Sequence, residues 1–325
     1  MRRCLKILVL IKTFWKTMPK HEVKFKMMKS LEEFAEVMYW HTDGYLPDIL
    51  DKIQFRPDFI FHYDIAYGFS LSPNIRGFKD TNIPTGAFVI DSHFNKQIRS
   101  SYFEENQIDL IFSVTKEHFL NEFPQYKEKF RWVPWAVDPE IFKDWKLKKT
   151  IDYLLMGLVH EGNKRYPPKG KYLFREAVLQ TMKHEEGFVH HPHPGNVITD
   201  EEEIKQAFLN EKYAQELNRA KIFFTCGSAL RYPLLKFFEA PACRTLLLAE
   251  PNQDIFDLGF KDGTHFIACE VEDFYDKAKY YLQNEKERQR ITDNGYRLVH
   301  SQHTYHARAQ EIADAILDFL EQQER

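Results

Sequence analysis

Glycine and cysteine are both scarce in this chain, at 13 and 4 of 325 residues. No glycine stands in or directly after the first apolar stretch, "LKILVLIKTFWKTM". The Gly-rich turn that sets a dinucleotide pyrophosphate on a helix N-terminus is therefore excluded there. Cys4, Cys226, Cys243 and Cys269 lie far apart with no CxxC or zinc spacing; they fit a reducing cytosol, where cysteine acts as a small buried hydrophobe. No segment reaches the roughly 18 apolar residues of a membrane span. Lys and Arg number 45 against 48 Asp and Glu, a net charge of −3, and they are scattered. No basic stripe advertises nucleic acid or an anionic membrane, although a local pair of basic residues suffices for one phosphate. Internal repeats, low-complexity segments and the GxSxG, HExxH and Walker A motifs are all absent from the sequence.

What is present is a large apolar fraction, 43%, with 28 Phe and 16 Tyr. That is enough for a substantial core, and the length suggests about two domains at roughly 150 residues each. The opening "MRRCLKILVLIKTFW" carries two Arg ahead of a short apolar run, then Lys12 and Lys16 with no small-residue cleavage site. It reads as a first buried strand rather than a secretory leader. Further short apolar runs follow at 57–64, 86–91, 109–114 and 131–135. Between the first two lies "SLEEFAEVMYWHTDGYLPDILDKI" (30–53), read as a helix opened by Ser30 with Glu33 three residues on, a capping box.

Continuous apolar strands alternating with helices indicate βα units and a parallel sheet. From residue 134, "PWAVDPEIFKDWKLKKT" reads as a linker, and the pattern then restarts. Strands are expected at 152–158, 187–191, 221–226, 245–250 and 264–269, helices near 170–183, 200–219 and 234–243, and amphipathic helices to the end. The expected organisation is an N-terminal domain over 1–135, a linker over 136–150, a second domain over 151–302, and a C-terminal segment, 303–325, crossing back to the first. In such doubly wound sheets ligands lie beyond the carboxyl ends of the strands, here in the cleft between the domains.

Glu239 is the most conspicuous single residue, a carboxylate inside the apolar run "LLKFFEAPACRTLLLAE" (234–250). Burying it is costly unless it is hydrogen-bonded or paired. A ligand diol and a neighbouring Lys or Arg are the two available partners. In the loop before it, Gly227 and Ser228 allow a tight turn, Pro233 suits a first helical turn, and Arg231 offers a bidentate contact to phosphate; the alternative is a Ser228-capped surface loop. "VHHPHPGN" (189–196) crowds His190, His191 and His193 together, without a Cys or carboxylate at ligand spacing. In the first half, "FVIDSHFN" ends a strand with Asp91 and His93, a base and its orienting partner in form, and His62 with Asp64 is the rival pair.

"LLKFFEAPACRTLLLAEP", "GFKDGTHFIAC", "EDFYDKAKYYLQNEKERQRITDNG" and "HTYHAR" together resemble the C-terminal domain of group 1 glycosyltransferases, and within these the branch of CgeB-like, spore-maturation-type proteins. The resemblance is specific over about 220–325 and looser over 151–219. It implies a GT-B fold, two Rossmann-like doubly wound domains facing across a cleft, with a nucleotide-sugar donor such as a UDP- or GDP-sugar held mainly by the second. It implies that Glu239 accepts from the ribose hydroxyls; Arg231 stands where group 1 enzymes carry a further Glu, and Arg244 where they prefer Gly. It also implies that Gly157 ends a strand before a loop whose Arg165, with Lys164, binds the donor diphosphate. His193 is placed near the base, and Asp91 and His93 face sugar and acceptor. Arg308 is read as architectural. No DxD triplet ends a strand, so the metal-dependent GT-A class finds no support. The expected activity is a metal-independent, retaining, cytoplasmic transfer to an acceptor hydroxyl, with no cofactor beyond the donor. A GT-B epimerase acting on the donor alone, and a silent protein that binds sugar nucleotides or glycans, are the alternatives.

Overall fold

The computed structural model describes residues 4–160, 167–193 and 201–323. The chain divides into two compact units, one formed by residues 1–16, 24–134 and 306–325, the other by 17–23 and 135–305. No helix among the described residues is long and apolar enough to cross a membrane.

Unit one is built on a six-stranded, all-parallel sheet. Its strands are β1 (Leu5–Leu10), β2 (Ala35–Trp40), β3 (Phe59–His62), β4 (Thr85–Val89), β5 (Leu110–Ser113) and β6 (Phe130–Trp132), in the spatial order β2-β1-β3-β4-β5-β6. The central strands are buried along their whole length, which is why they read as unbroken apolar runs. The edge strand β2 alternates between half-buried and exposed residues and pairs with β1 from Leu5↔Ala35 to Leu10↔Trp40.

β2 corrects the helix expected over 30–53. Ser30–Glu33 is a 3-10 turn, and only Leu46–Lys52 is α-helical. The Ser30 hydroxyl donates back to Met27 O (2.6 Å) instead of capping a new helix. The segment that follows, Ala-Glu-Val-Met-Tyr-Trp, is taken by the open edge of β1, whose unpaired groups need a ladder partner.

Unit two holds five parallel strands, β7 (Ile151–Gly157), β8 (Phe188–Pro192), β9 (Ala220–Thr225), β10 (Leu246–Ala249) and β11 (Ile267–Ala268), in the order β8-β7-β9-β10-β11. One face packs Tyr153, Leu155, Phe224 and Leu248 against Phe174, Val178 and Met182. The helix expected near 200–219 is two, Glu201–Gln206 and Asn210–Arg219. Phe208 leaves the helical path to pack on His191, with ring centroids 4.0 Å apart, and Asn210 turns left-handed at φ 47°. Residues 138–150 carry no helix or strand, yet Ile141 and Phe142 are buried within this unit.

The helices that matter below are α1 (Lys96–Glu105) in unit one and α2 (Leu173–Met182), α3 (Asn210–Arg219) and α4 (Lys236–Ala242) in unit two. The terminal helix α5 (Tyr305–Gln323) contributes its residues from His306 onward to unit one. There the buried Arg308 donates to Pro134 O (3.0 Å) and to Glu311 (2.7 Å), an architectural contact. Both sheets reverse chain order beside their first strand, between β1 and β3 and between β7 and β9. That reversal opens a crevice at the carboxyl edge of each sheet.

At that edge in unit one, His62 and Asp64 are fully buried and structural. Asp64 accepts from the backbone N–H groups of Ala66, Ile90 and Asp91, and forms a two-point ion pair with Arg99 of α1. His62 accepts from Tyr102 Oη at Nδ1 (2.6 Å), and its Nε2 donates to Pro73 O (2.9 Å). Burial holds its ring neutral, with a pKa lowered to about 4. The native state therefore binds this proton less readily than the unfolded chain. The contribution is fully present above about pH 6.5 and is lost as pH falls from there toward 4. Urea unfolding at pH 7 and pH 4.5 is expected to show a loss of about 2–3 kcal/mol from this group, and His62→Gln should remove that part of the pH dependence. A slope unchanged in the variant would assign the acid sensitivity elsewhere.

Candidate functional site

The carboxyl edge of the unit-two sheet gathers charge that the hydrophobic pattern does not call for. β7 ends at Gly157 with φ +156°, a backbone setting that side chains rarely adopt. The guanidinium of Arg175, from α2, lies against that glycine; a Cβ there would stand 3.4 Å from Nη1. Arg175 is only 3% exposed. Its contacts are long ones, Nη1 to Leu158 O at 3.3 Å and Nη2 to Cys226 O at 3.5 Å, and Nε is buried without a hydrogen-bond partner among the described residues. The group lies 5.0 Å from the centroid of the Tyr172 ring. Among the described residues no carboxylate is within ion-pair distance of it. The two carbonyls lie one residue past the ends of β7 and β9, so this cation sits at the point where strand order reverses.

Glu239 of α4 is 5% exposed. Tyr213 Oη, from α3, donates to its Oε2 (3.1 Å) and accepts from Lys236 Nζ (2.9 Å). No other side chain among the described residues donates to the Glu239 carboxylate. Burial pushes that carboxyl up, and Lys236 and Tyr213 pull it back. Burial lowers Lys236 to about 8, with Glu239 opposing and Arg175 assisting. Its ammonium also lies 4.7 Å from the Tyr213 ring centroid. Both readings of Glu239 thus meet in one place: it has a basic neighbour, through a tyrosine, and it retains unused acceptor capacity.

The loop between β9 and α4 is tight. A Cβ on Gly227 would stand 3.0 Å from the Arg231 backbone, and Ser228 and Arg231 both take positive φ. Ser228 Oγ accepts from Leu230 N–H (3.3 Å), and the exposed Arg231 pairs with Glu270 at 3.4 Å. Pro233 stands before α4, which begins at Lys236. Burial and the adjacent Glu270 raise the Glu250 carboxyl, while Arg231 and Arg175 lower it. Arg244 is tied to Asp144 and Asp293. His193 is half-buried just past the end of β8, and His191 pairs with Glu216 (2.7 Å). Lys164 and Arg165 lie outside the described residues. No group of three His, Cys, Asp or Glu among the described residues is placed to hold a metal ion.

In unit one, Asp91 and His93 follow β4 at the same kind of edge. Asp91 accepts from Tyr67 Oη (3.1 Å), and its own N–H is held by Asp64. The His93 ring is exposed and makes no hydrogen bond among the described residues, so Asp91 orients Tyr67 and not His93. Lys24 shares this edge: burial pulls its ammonium down, with Asp91 and Asp64 opposing.

Arg175, Lys236, Tyr213 and Lys24 were not among the candidates read from the sequence. Arg175 carried the signal that exposed Glu239, a charge on the apolar face of a helix. In "LFREAVLQTM" it stands beside Phe174 and ahead of Val178 and Met182, which are all buried. Tyr213 and Lys236 carried none, because a tyrosine and a lysine on amphipathic helices are ordinary.

Residues 175–314 match the protein family described as glycosyl transferase-like. No curated protein matches the chain in sequence. Among solved structures, HepE of Anabaena in complex with UDP-glucose superposes with TM-score 0.60 at 13% identity, covering 97% of this chain and all of that one. Sucrose-phosphate synthase of Thermosynechococcus elongatus gives 0.62 at 10% identity over 98% and 100%. A glycosyltransferase of Rickettsia africae gives 0.60 at 11% identity over 97% and 99%. The fold is that of the GT-B glycosyltransferases: two doubly wound α/β units, each on a parallel sheet.

An uncompensated buried cation opposes folding and favours an anion. Arg175→Met is therefore expected to leave the melting temperature unchanged or raised, and to weaken binding of a pyrophosphate probe at least tenfold by calorimetry. Lost stability with unaltered binding would make the residue structural.

Proposed function

We propose that this protein is a glycosyltransferase that moves a sugar from a nucleoside-diphosphate sugar of the UDP-glucose kind to an acceptor hydroxyl. The observation that carries the reading is the juxtaposition at the switch point of unit two: the buried cation Arg175, held only by two long carbonyl contacts among the described residues, the lowered lysine Lys236 and the buried carboxylate Glu239. A nucleoside diphosphate needs two things there, cations at its phosphates and an acceptor at its ribose diol. The glycosyl transferase-like match begins at Arg175, and HepE, of similar fold, is bound to UDP-glucose.

In this reading Arg175 and Lys236 take the charge that develops on the leaving diphosphate, in place of a metal. Gly157 lets the ligand approach the strand end, and Arg165, Lys164 and Arg231 add to the anion site. Ser228 shapes the loop beside it, His193 lies toward the base, and Glu239 accepts from the ribose. On the acceptor side Asp91, held toward the edge by Tyr67 and lying near Lys24, and His93 are the groups able to take a proton from the incoming hydroxyl. The reading includes retention of configuration, no cofactor beyond the donor, a cytoplasmic setting, and membership of the CgeB-like branch through "FFEAPACRTLLLAE" and "HTYHAR".

The test is incubation with a panel of UDP- and GDP-sugars, with and without candidate acceptors, following free nucleotide and sugar identity. Acceptor-dependent nucleotide release is expected, and His93→Ala should lower turnover at least tenfold with donor affinity unaltered. An isomerised donor without release would indicate an epimerase; tight binding with no turnover on any acceptor would indicate a silent binding protein.

A further inference from the structure

Unit one carries a groove that the proposed reaction does not use. It has a volume of about 830 Å³ and lies between residues 65–79 and α1, within the roughly 300–1,000 Å³ of small-ligand sites. Its floor is apolar and immobilised. Ile65, Phe69 and Tyr102 line it, and Tyr102 is pinned by its hydrogen bond to His62, whose ring stacks on Phe78 at 5.4 Å. Its walls are neutral and polar: the side chains of Asn74, Gln97 and Ser101 line it and make no hydrogen bond among the described residues. At its rim stand Arg76 and Lys79 with Glu105 as the one lining carboxylate, and neither cation is in an ion pair among the described residues.

The backbone around the groove is held in costly conformations. Tyr67, Gly68 and Phe69 run consecutively at φ 57°, 66° and 59°. Two of these are non-glycine residues, each at a cost on the order of 1–3 kcal/mol. Lys12 Nζ donates to Phe69 O (2.9 Å) and secures the segment. Gly77 sits at φ 83°, where a Cβ would fall 2.3 Å from the Tyr45 ring, so this wall is closed to any side chain. Strain retained around a rigid concavity is the signature of a surface kept in shape for a ligand.

The geometry points to this groove as a binding site for an anionic saccharide, a hydroxyl-rich ring or short chain bearing a carboxylate or phosphate. Unused amide and hydroxyl groups match sugar hydroxyls, the Phe69–Tyr102 floor matches the apolar face of a pyranose, and the Arg76–Lys79 pair supplies the charge preference. The assignment does not depend on the transfer reaction, because no residue lining the groove belongs to that site.

The test uses the full chain and three probes, trigalacturonate, glucose 6-phosphate and neutral maltotriose, with titration calorimetry and backbone amide NMR. One or both anionic probes should bind and shift the amides of residues 74–79 and 95–106, with maltotriose at least tenfold weaker. Which of the two binds distinguishes a carboxylate from a phosphate ligand. The double variant Arg76→Ala/Lys79→Ala should weaken the anionic probe at least tenfold and bring it level with maltotriose, and Gln97→Ala should weaken all saccharides; both should leave UDP binding unaltered. Binding of neither anionic probe, equal binding of maltotriose, or an affinity unmoved by either variant would overturn the assignment.

Discussion

A guanidinium taken out of water must be met by charge or by hydrogen bonds, and the two units treat that requirement differently. In unit one Arg99 is 1% exposed and its fork closes on Asp64, which also gathers the N–H groups of Ala66, Ile90 and Asp91. Removing one partner of such a pair costs about 3–5 kcal/mol, so this cluster sets the course of the chain after β3 and β4. In unit two Arg175 is nearly as buried, yet among the described residues it has only two long contacts to carbonyls and an Nε with no partner. A completed cluster is a structural fastening. An incomplete one at a strand-order reversal leaves a buried cation with donor capacity to spare, and the proposed function grows from that contrast.

Parallel pairing is what brings these charges to one edge. In a parallel sheet every strand ends on the same side, so residues far apart in sequence, such as Leu158, Cys226, Glu250 and Glu270, become neighbours without any further device. The order in which the first strand lies inside the sheet then separates the flanking loops and leaves a crevice at its end. Gly157 keeps that crevice open by carrying no side chain where Arg175 lies. The same topology in unit one sets Asp91, Tyr67 and Lys24 around the end of β4.

Much of the architecture was legible because buried parallel strands are continuous apolar runs. The expected runs at 5–11, 57–64, 86–91, 109–114, 152–158 and 221–226 each overlap an observed strand. The edge strand β2 was not legible, because it is nowhere fully buried and its exposed Glu36 and Met38 suit a helix as well; only the open flank of β1 makes it a strand. The split of the 200–219 helix was hidden for a related reason, since Phe208 leaves the helix for a ring on β8, a neighbour distant in sequence.

The sequence by itself determined the class of fold, two parallel α/β units, and it singled out Glu239, because a charge within an apolar period stands out along the chain. It also excluded the Gly-rich dinucleotide loop and any cysteine metal site. Tertiary structure alone decided which charges are satisfied. Asp64 and Arg99 are 35 residues apart and complete one another; Arg231 goes to Glu270 and Arg244 to Asp144 and Asp293; Arg175 keeps a donor unanswered among the described residues. Periodicity reports which face of an element is buried, whereas the partner of a buried charge comes from another element, and only the folded chain brings the two together.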